Sequence, residues 1–457
     1  MDSDGKLPMV RVDVVERNCR SRSGVFRCEI GTNLQFSPES LASYFFAQWE
    51  PVVFDALLLA AAVEFSDKVK KRPARGWTRQ IELRVPVHDP DFWTRVEVRE
   101  SLHDALQFLT GDIWVVTFAK RQKPAPQPQQ GLFLIPANSS AVIPFSEGLD
   151  SRAVAGLMAK RWGNGLVRIR LGQKTFDQPK DASGHKYPFT AVPYKVRPVK
   201  YRFSETSARS RGFKFALLSG IAAYLAKAPR IIVPESGQGA LGPSLVPVGQ
   251  AYEDYRNHPL FTNRMTKFLK ALFGHDVEFE FPRLWFTKGE TLREYVALDG
   301  GRADWVTTRS CWQDNRQVSV DGRRRQCGIC AACMLRRLSV HAADLSERSD
   351  TYIWENLSAK SFDAGAAPGF KQVKTQHHYA IAGALHLDHL AALKHSSINA
   401  QTIRLNAFQL ARVFNEKQAD VQDKLNRLLS EHEKEWKGFM KSLGAKSFLL
   451  NWIEQAR

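Results

Sequence analysis

Ser146, Gly148, Asp150 and Ser151 lie in the stretch Ile143-Pro-Phe-Ser-Glu-Gly-Leu-Asp-Ser-Arg152, whose residue types suit phosphate chemistry. Small residues let backbone N–H groups approach phosphate oxygens, and the serine hydroxyls add donors. Asp150 is placed to orient the loop or to hold Mg²⁺ beside a leaving pyrophosphate. Ala141-Val142-Ile143 leads in and Ala153-Val154-Ala155-Gly156-Leu157 leads out, so the pattern predicts strand, tight loop, helix. A helix N-terminus carries unpaired N–H groups and a partial positive charge, and therefore holds anions. No Gly-Lys-Ser/Thr follows, which excludes a Walker loop.

The second chemical feature is Cys311, Cys327, Cys330 and Cys333, spaced C-x15-C-x2-C-x2-C. Four thiolates suit tetrahedral zinc, and a site filled by protein leaves no place for water, so a structural role is expected. An iron–sulfur cluster is the rival on ligand type alone. Arg323, Arg324 and Arg325 are placed to screen the anionic site.

Three further segments offer charge near strand ends. Arg209 and Arg211 precede a predicted helix and can clamp phosphate or carboxylate bidentately. Glu235 follows the strand Ile231-Ile232-Val233, and ligands gather at the carboxyl ends of strands in open α/β sheets. Lys288 opens a helix after another strand, where it can neutralise an adenylate. Gly237-Gln-Gly239-Ala-Leu-Gly242 matches G-x-G-x-x-G, but Pro243 and Pro247 follow. A mobile active-site loop is expected there, with no helix to hold a dinucleotide. His377, His378, His386, His389 and His395 have no cysteine nearby and read as structural or surface residues. No G-x-S-x-G or spaced Ser/His/Asp set supports hydrolase chemistry.

The elements that must position these groups follow from periodicity. Residues 1–120 read as a small α+β domain: strands at 9–15, 25–30 and 80–87, a helix at 51–71, strand and helix within 92–109, and a strand at 113–118. Arg121 to Gln130, RQKPAPQPQQ, reads as a linker. From Gly131 strands and helices alternate: strands at 131–136, 140–145, 165–170, 230–233 and 276–281, helices at 151–162, 210–226, 262–273 and 288–296. That is the pattern of a mostly parallel sheet with helices on both faces. Residues 305–335 form a Cys- and Arg-rich loop, followed by a helix at 334–345. Beyond the connector 361–369 everything reads helical, with Val421, Leu425, Leu428, Trp436, Phe439 and Leu443 on one apolar face. The division expected is 1–130, 131–347 and 348–457.

The 457 residues are 44% hydrophobic and 25% charged, as in globular proteins, with a net charge of +18. That charge favours anionic partners without choosing among nucleotide, nucleic acid and acidic protein. The apolar run from Ala56 to Val63 is too short to span a bilayer. The opening Met-Asp-Ser-Asp-Gly-Lys lacks a secretory pattern, so a cytoplasmic location is expected.

Ser-x-Gly-Leu-Asp-Ser resembles the SGGxDS loop of ATP pyrophosphatases, which cleave between the α- and β-phosphates to make an adenylate. Glu147 stands where a second glycine is usual. Together with Ser310-Cys311-Trp312 and Cys327-Gly328-Ile-Cys330-Ala-Ala-Cys333-Met-Leu-Arg336, the loop looks like the QueC, or 7-cyano-7-deazaguanine synthase, family. Trp312 replaces the usual tyrosine. The resemblance covers residues 138–345. It implies a parallel-sheet PP-loop (HUP-like) core, with ATP, Mg²⁺ and Zn²⁺ as cofactors. It also implies adenylation of the carboxylate of 7-carboxy-7-deazaguanine followed by attack of ammonia. By position, Ser146, Glu147, Gly148, Leu149, Asp150, Ser151, Arg209 and Glu235 would hold ATP. Asp150, Arg211 and Lys288 would act in catalysis, and the four cysteines would hold zinc.

The additional N-terminal and helical regions resemble the longer QueC-like proteins of bacterial anti-phage operons, the QatC type and the relatives in type IV CBASS. That resemblance implies capture of the activated carboxylate by an amine of a partner protein encoded in the same operon. Two other classes remain open on the residues alone: a tRNA-thiolating enzyme with the same loop, and a non-catalytic nucleotide-binding module.

Overall fold

The computed structural model describes residues 7–37, 50–73, 76–124, 139–172, 178, 180, 183–247, 252–298, 304–313, 318–320 and 322–456. In chain order its first elements are β1 (Met9–Val15), β2 (Phe26–Glu29), β3 (Leu34–Phe36), α1 (Pro51–Val69), β4 (Gln80–Val87), α2 (Pro90–Thr94), α3 (Val96–Thr110) and β5 (Ile113–Lys120). Next come β6 (Ala141–Pro144), α4 (Leu149–Trp162), β7 (Leu166–Leu171), β8 (Phe189–Val192), β9 (Tyr194–Val196), α5 (Arg211–Ala226) and β10 (Arg230–Ile232). Then follow α6 (Gly237–Ala240), α7 (Gly242–Leu245), α8 (Pro259–Phe273), β11 (Glu278–Glu280) and α9 (Lys288–Val296). The last are β12 (Ser319–Val320), β13 (Arg323–Arg324), α10 (Ala331–Ala342), α11 (Lys374–Ala392), α12 (Ser397–Phe414), α13 (Gln418–Leu443) and α14 (Phe448–Ala456).

The chain forms two compact units, each from discontinuous segments. Among the described residues the first, residues 1–145, 158–233 and 254–281, contains two all-parallel sheets and an antiparallel β3-β9 pair. One has the order β2-β1-β4-β5 and the other β11-β10-β6-β7-β8. In β4 the alternating Ile81, Leu83 and Val85 face the core, as its period-2 pattern predicts. The buried helix α1 packs between β4 and α5. The α/β class and the parallel pairing expected from the alternation are therefore present. The expected strand at 131–136 lies outside the described residues.

Sequence reading expected a strand at the start of 92–109, and the structure has a helix there. Asp89 accepts a hydrogen bond from the Phe92 N–H and Pro90 occupies the first turn, so α2 is capped in spite of its aromatic Phe92-Trp93 pair. Also unanticipated is a buried charge network: Arg79, fully buried, donates to Asp67 at 2.7 Å and to Asp112 at 2.8 Å, and Arg72 joins Asp112 at 2.7 Å.

The second unit comprises residues 146–157, 234–253 and 282–457. Helices α9 to α14 dominate it, and Cys327, Cys330, Cys333, Trp354, Leu387, Trp436 and Phe448 lie in its apolar core. The face of α13 carrying Val421, Leu425, Leu428, Trp436 and Phe439 is buried, and α13 packs on α10, α11 and α12. The G-x-G-x-x-G segment is helical, not an irregular loop. It forms the single-turn helices α6 and α7, with Gly237, Gln238, Ala240, Gly242 and Leu245 buried. Pro243 occupies the first turn of α7, where its missing N–H costs little. Among the described residues no helix is long and apolar enough to cross a membrane.

Candidate functional site

The loop after β6 is closed by its own serines. Ser151 Oγ accepts from the Ser146 N–H at 3.0 Å and lies 2.9 Å from Ser146 Oγ, which accepts from the Gly148 N–H at 3.0 Å. The two hydroxyls thus brace the turn. A Cβ at Gly148 would lie 3.1 Å from Ser146 Oγ, so this position is tight for any other residue. Glu147 does not adopt positive φ, so a side chain at this position of the motif adds no backbone strain.

Asp150, on the first turn of α4, meets Lys288, the first residue of α9. The Lys288 ammonium contacts Asp150 Oδ2, with the side chains only 7% and 14% exposed. Asp150 Oδ1 is buried without a hydrogen-bond partner, the arrangement of a carboxylate oxygen able to accept from a ligand or face a cation. Two features bring the helices together. A Cβ on Gly156 would stand 2.2 Å from the Tyr295 ring, so only glycine lets α4 and α9 approach this closely. Asp304 accepts from the Tyr295 hydroxyl at 2.7 Å and pairs with Arg152 at 3.4 Å. The start of α9 is a capping box: Thr287 Oγ1 accepts from the Glu290 N–H at 3.0 Å, and Glu290 Oε2 accepts from the Thr287 N–H at 2.8 Å.

The four cysteines converge as their spacing predicts. Their sulfurs all lie within 4.8 Å of one another, and Cys327 and Cys333 are 3.7 Å apart. Tetrahedral zinc with Zn–S bonds of about 2.3 Å requires sulfurs about 3.8 Å apart, so the donor set fits the ion. Backbone N–H groups aim at the sulfurs: Cys327 at Cys311 Sγ (3.2 Å) and Cys330 at Cys327 Sγ (3.3 Å). Gly328 turns the chain with φ +85°. Neighbouring thiols hold Cys311 low, its sulfur in turn holds Cys330 high, and burial holds Cys333 high. Sulfurs this close favour thiolates together only around a cation.

Two residues that sequence reading missed join loop 146–151 to the cysteines. The Arg309 N–H donates to the Glu147 carbonyl at 2.7 Å. Gln326 Oε1 accepts from the N–H groups of Ser310 (2.7 Å) and Cys311 (3.2 Å). The segment bearing the first metal ligand is thereby tied to the loop at one end and to the residue before Cys327 at the other. Arg309 is a polar residue preceding a singled-out motif, and only the fold gives it this meaning. Arg336, which ends the Cys327–Arg336 motif, is structural: fully buried, it donates to Glu347 at 2.7 Å and to Thr308 at 2.6 Å.

The remaining expected site residues are Glu235, Arg209 and Arg211. Glu235 folds against Gly239, leaving no room for a Cβ there. Arg209 and Arg211 belong to the first unit. Arg209 is buried, 3.4 Å from Asp254 and stacked over Trp77, with burial lowering its pKa. Arg211 begins α5 at an exposed position.

A family model described as queuosine biosynthesis protein QueC matches residues 240–343. That span contains Lys288, the four cysteines and Arg336, and excludes loop 146–151. No curated protein and no solved structure matches this chain.

Proposed function

We propose that the chain is a QueC-like, ATP-dependent enzyme that activates a carboxylate as an adenylate and passes it to an amine. The observation that carries this reading is the pairing of Asp150, beside the phosphate loop, with Lys288, inside the QueC-matched span. The substrate proposed is the carboxylate of a 7-carboxy-7-deazaguanine-type base.

The loop residues Ser146, Glu147, Gly148, Leu149, Asp150 and Ser151 would bind the triphosphate of ATP. Asp150 Oδ1 would face Mg²⁺, which supplies charge neutralisation to the leaving pyrophosphate. Lys288 would leave Asp150 Oδ2 for the anion and stabilise charge as the carboxylate oxygen bonds to the α-phosphorus and the bond to pyrophosphate breaks. An amine then attacks the acyl carbon, the C–O bond to AMP breaks, and the nitrogen gives up a proton. Zinc held by Cys311, Cys327, Cys330 and Cys333 would fix the segment 309–311 that hydrogen-bonds Glu147. The tRNA-thiolating reading needs a reactive thiol; these four cysteines close on one another, and Cys19 is the exposed thiol among the described residues.

We extend the proposal to anti-phage defence, with the N-terminal amine of an operon-encoded protein as the nucleophile. Zinc-loaded protein would be incubated with ATP and 7-carboxy-7-deazaguanine, with either ammonium or the proteins of neighbouring genes. Intact-mass spectrometry should find the acylated partner or the base carboxamide. If neither forms, the ligase reading fails.

A further inference from the structure

We infer that the C-terminal helix α13 positions Lys288 through a buried relay from Gln238 to His432, making these two positioning residues for the lysine. The inference rests on the reading of Lys288 as a catalytic group. Gln238 Oε1 accepts from the Lys288 N–H at 2.8 Å. Gln238 Nε2 lies 2.8 Å from His432 Nδ1, and His432 Nε2 lies 2.9 Å from the Leu387 carbonyl. Gln238 and His432 are both buried.

Donor and acceptor roles along this chain are determined by one carbonyl. Leu387 O can only accept, so His432 Nε2 carries the proton and Nδ1 accepts from the Gln238 amide. Gln238 must then turn its oxygen to the Lys288 N–H. Burial lowers the His432 pKa to about 4, which keeps the ring neutral at pH 7 as the relay requires. The Lys288 N–H is one of the helix-start donors with no partner within the helix, so its acceptor helps set where α9 begins.

The same face of α13 grips this turn twice more. Thr287 Oγ1 donates to Glu435 Oε1 at 2.5 Å, and Arg427 donates to Glu290 Oε2 at 2.8 Å. Gly289 admits the Glu435 carboxylate, since a Cβ there would lie 2.6 Å from Oε1. α13 lies outside the QueC-matched span, yet it holds the turn that presents Lys288 to Asp150.

The test compares His432→Phe, Gln238→Leu and His432→Gln with wild type as full-length, zinc-loaded proteins. ATP–pyrophosphate exchange with 7-carboxy-7-deazaguanine supplies kcat and the KM for ATP. Acetic anhydride labelling of the Lys288 amine, read by mass spectrometry, follows the lysine without any need for turnover. His432→Phe and Gln238→Leu should lower kcat by about tenfold or more while KM changes by less than about threefold. Both should raise Lys288 labelling. His432→Gln, whose amide can accept from Gln238 and donate to Leu387, should restore kcat and protection. If His432→Phe does not accumulate, Gln238→Leu carries the same prediction from the other end. Unchanged kcat and labelling would overturn the relay. Exchange absent from wild type would overturn the adenylation reading instead, and the labelling comparison then decides the relay alone.

Discussion

Lys288 reaches across 138 positions of sequence to pair with Asp150, and the pair is largely removed from water. Breaking a buried pair from one side leaves the other charge without compensation, at a cost of about 3 kcal/mol. Lys288→Met should therefore lower urea stability by about that amount, and Lys288→Met combined with Asp150→Leu should recover most of it without restoring activity. Equal stability of the single and double variants would show that the pair is not energetically coupled.

The hydrogen bond from Arg309 to Glu147 links the segment bearing Cys311 to loop 146–151. Purified protein should carry one zinc per chain by elemental analysis, and Cys327→Ser should lose it. Chelating the metal should weaken ATP binding by about tenfold, within the usual range of coupling between sites, as read by calorimetry. Unaltered ATP affinity after metal loss would mean that the loop stands independently of the cysteines.

Half-buried Glu435 and buried His432 of α13 titrate in opposite senses. Burial raises Glu435 from 4.5 to about 7, so its contribution to stability is present below about pH 4.5 and is lost as pH rises through about 7. The shift corresponds to about 3 kcal/mol. Glu435→Gln should be more stable than wild type at pH 8, by up to that amount, and the gain should shrink towards pH 5. Burial lowers His432 from 6.5 to about 4, so its contribution is present above pH 6.5 and is lost as pH falls through about 4. Chemical denaturation across pH 4 to 8 reads both slopes, and a gain for Glu435→Gln that does not vary with pH would contradict the assignment.

Gly156 lies beneath the Tyr295 ring with no space for a methyl group. Gly156→Ala should cost about 2 kcal/mol through overpacking, despite alanine's better helix propensity. Pairing it with Tyr295→Leu should recover part of the loss. A stabilising Gly156→Ala in urea titrations would show that α4 and α9 are not in close contact.

What the sequence made legible was local. The small-residue turn and the cysteine spacing could be read because each site is built within a short stretch or from a distinctive ligand set. Strand alternation in β4 and the apolar face of α13 could be read because a single period repeats along each. Asp150 and Lys288 were each suspected, but their pairing depends on Gly156 yielding to Tyr295, which no local pattern encodes. Arg309, Gln326, Gln238 and His432 acquire roles only through contacts between distant segments. Local rules failed in two places: at α2, where a cap outweighed aromatic strand preference, and at 237–245, where glycine and proline form two tight, buried helical turns.

The reaction proposed for the loop bearing Asp150 is adenylation of a carboxylate. Exchange of labelled pyrophosphate into ATP, measured with and without 7-carboxy-7-deazaguanine, tests it most directly. Exchange should depend on the carboxylate and fall by about a hundredfold or more in Asp150→Ala, consistent with loss of a group that stabilises the transition state. Zinc-loaded wild type that shows no exchange, or exchange that Asp150→Ala leaves intact, would contradict it.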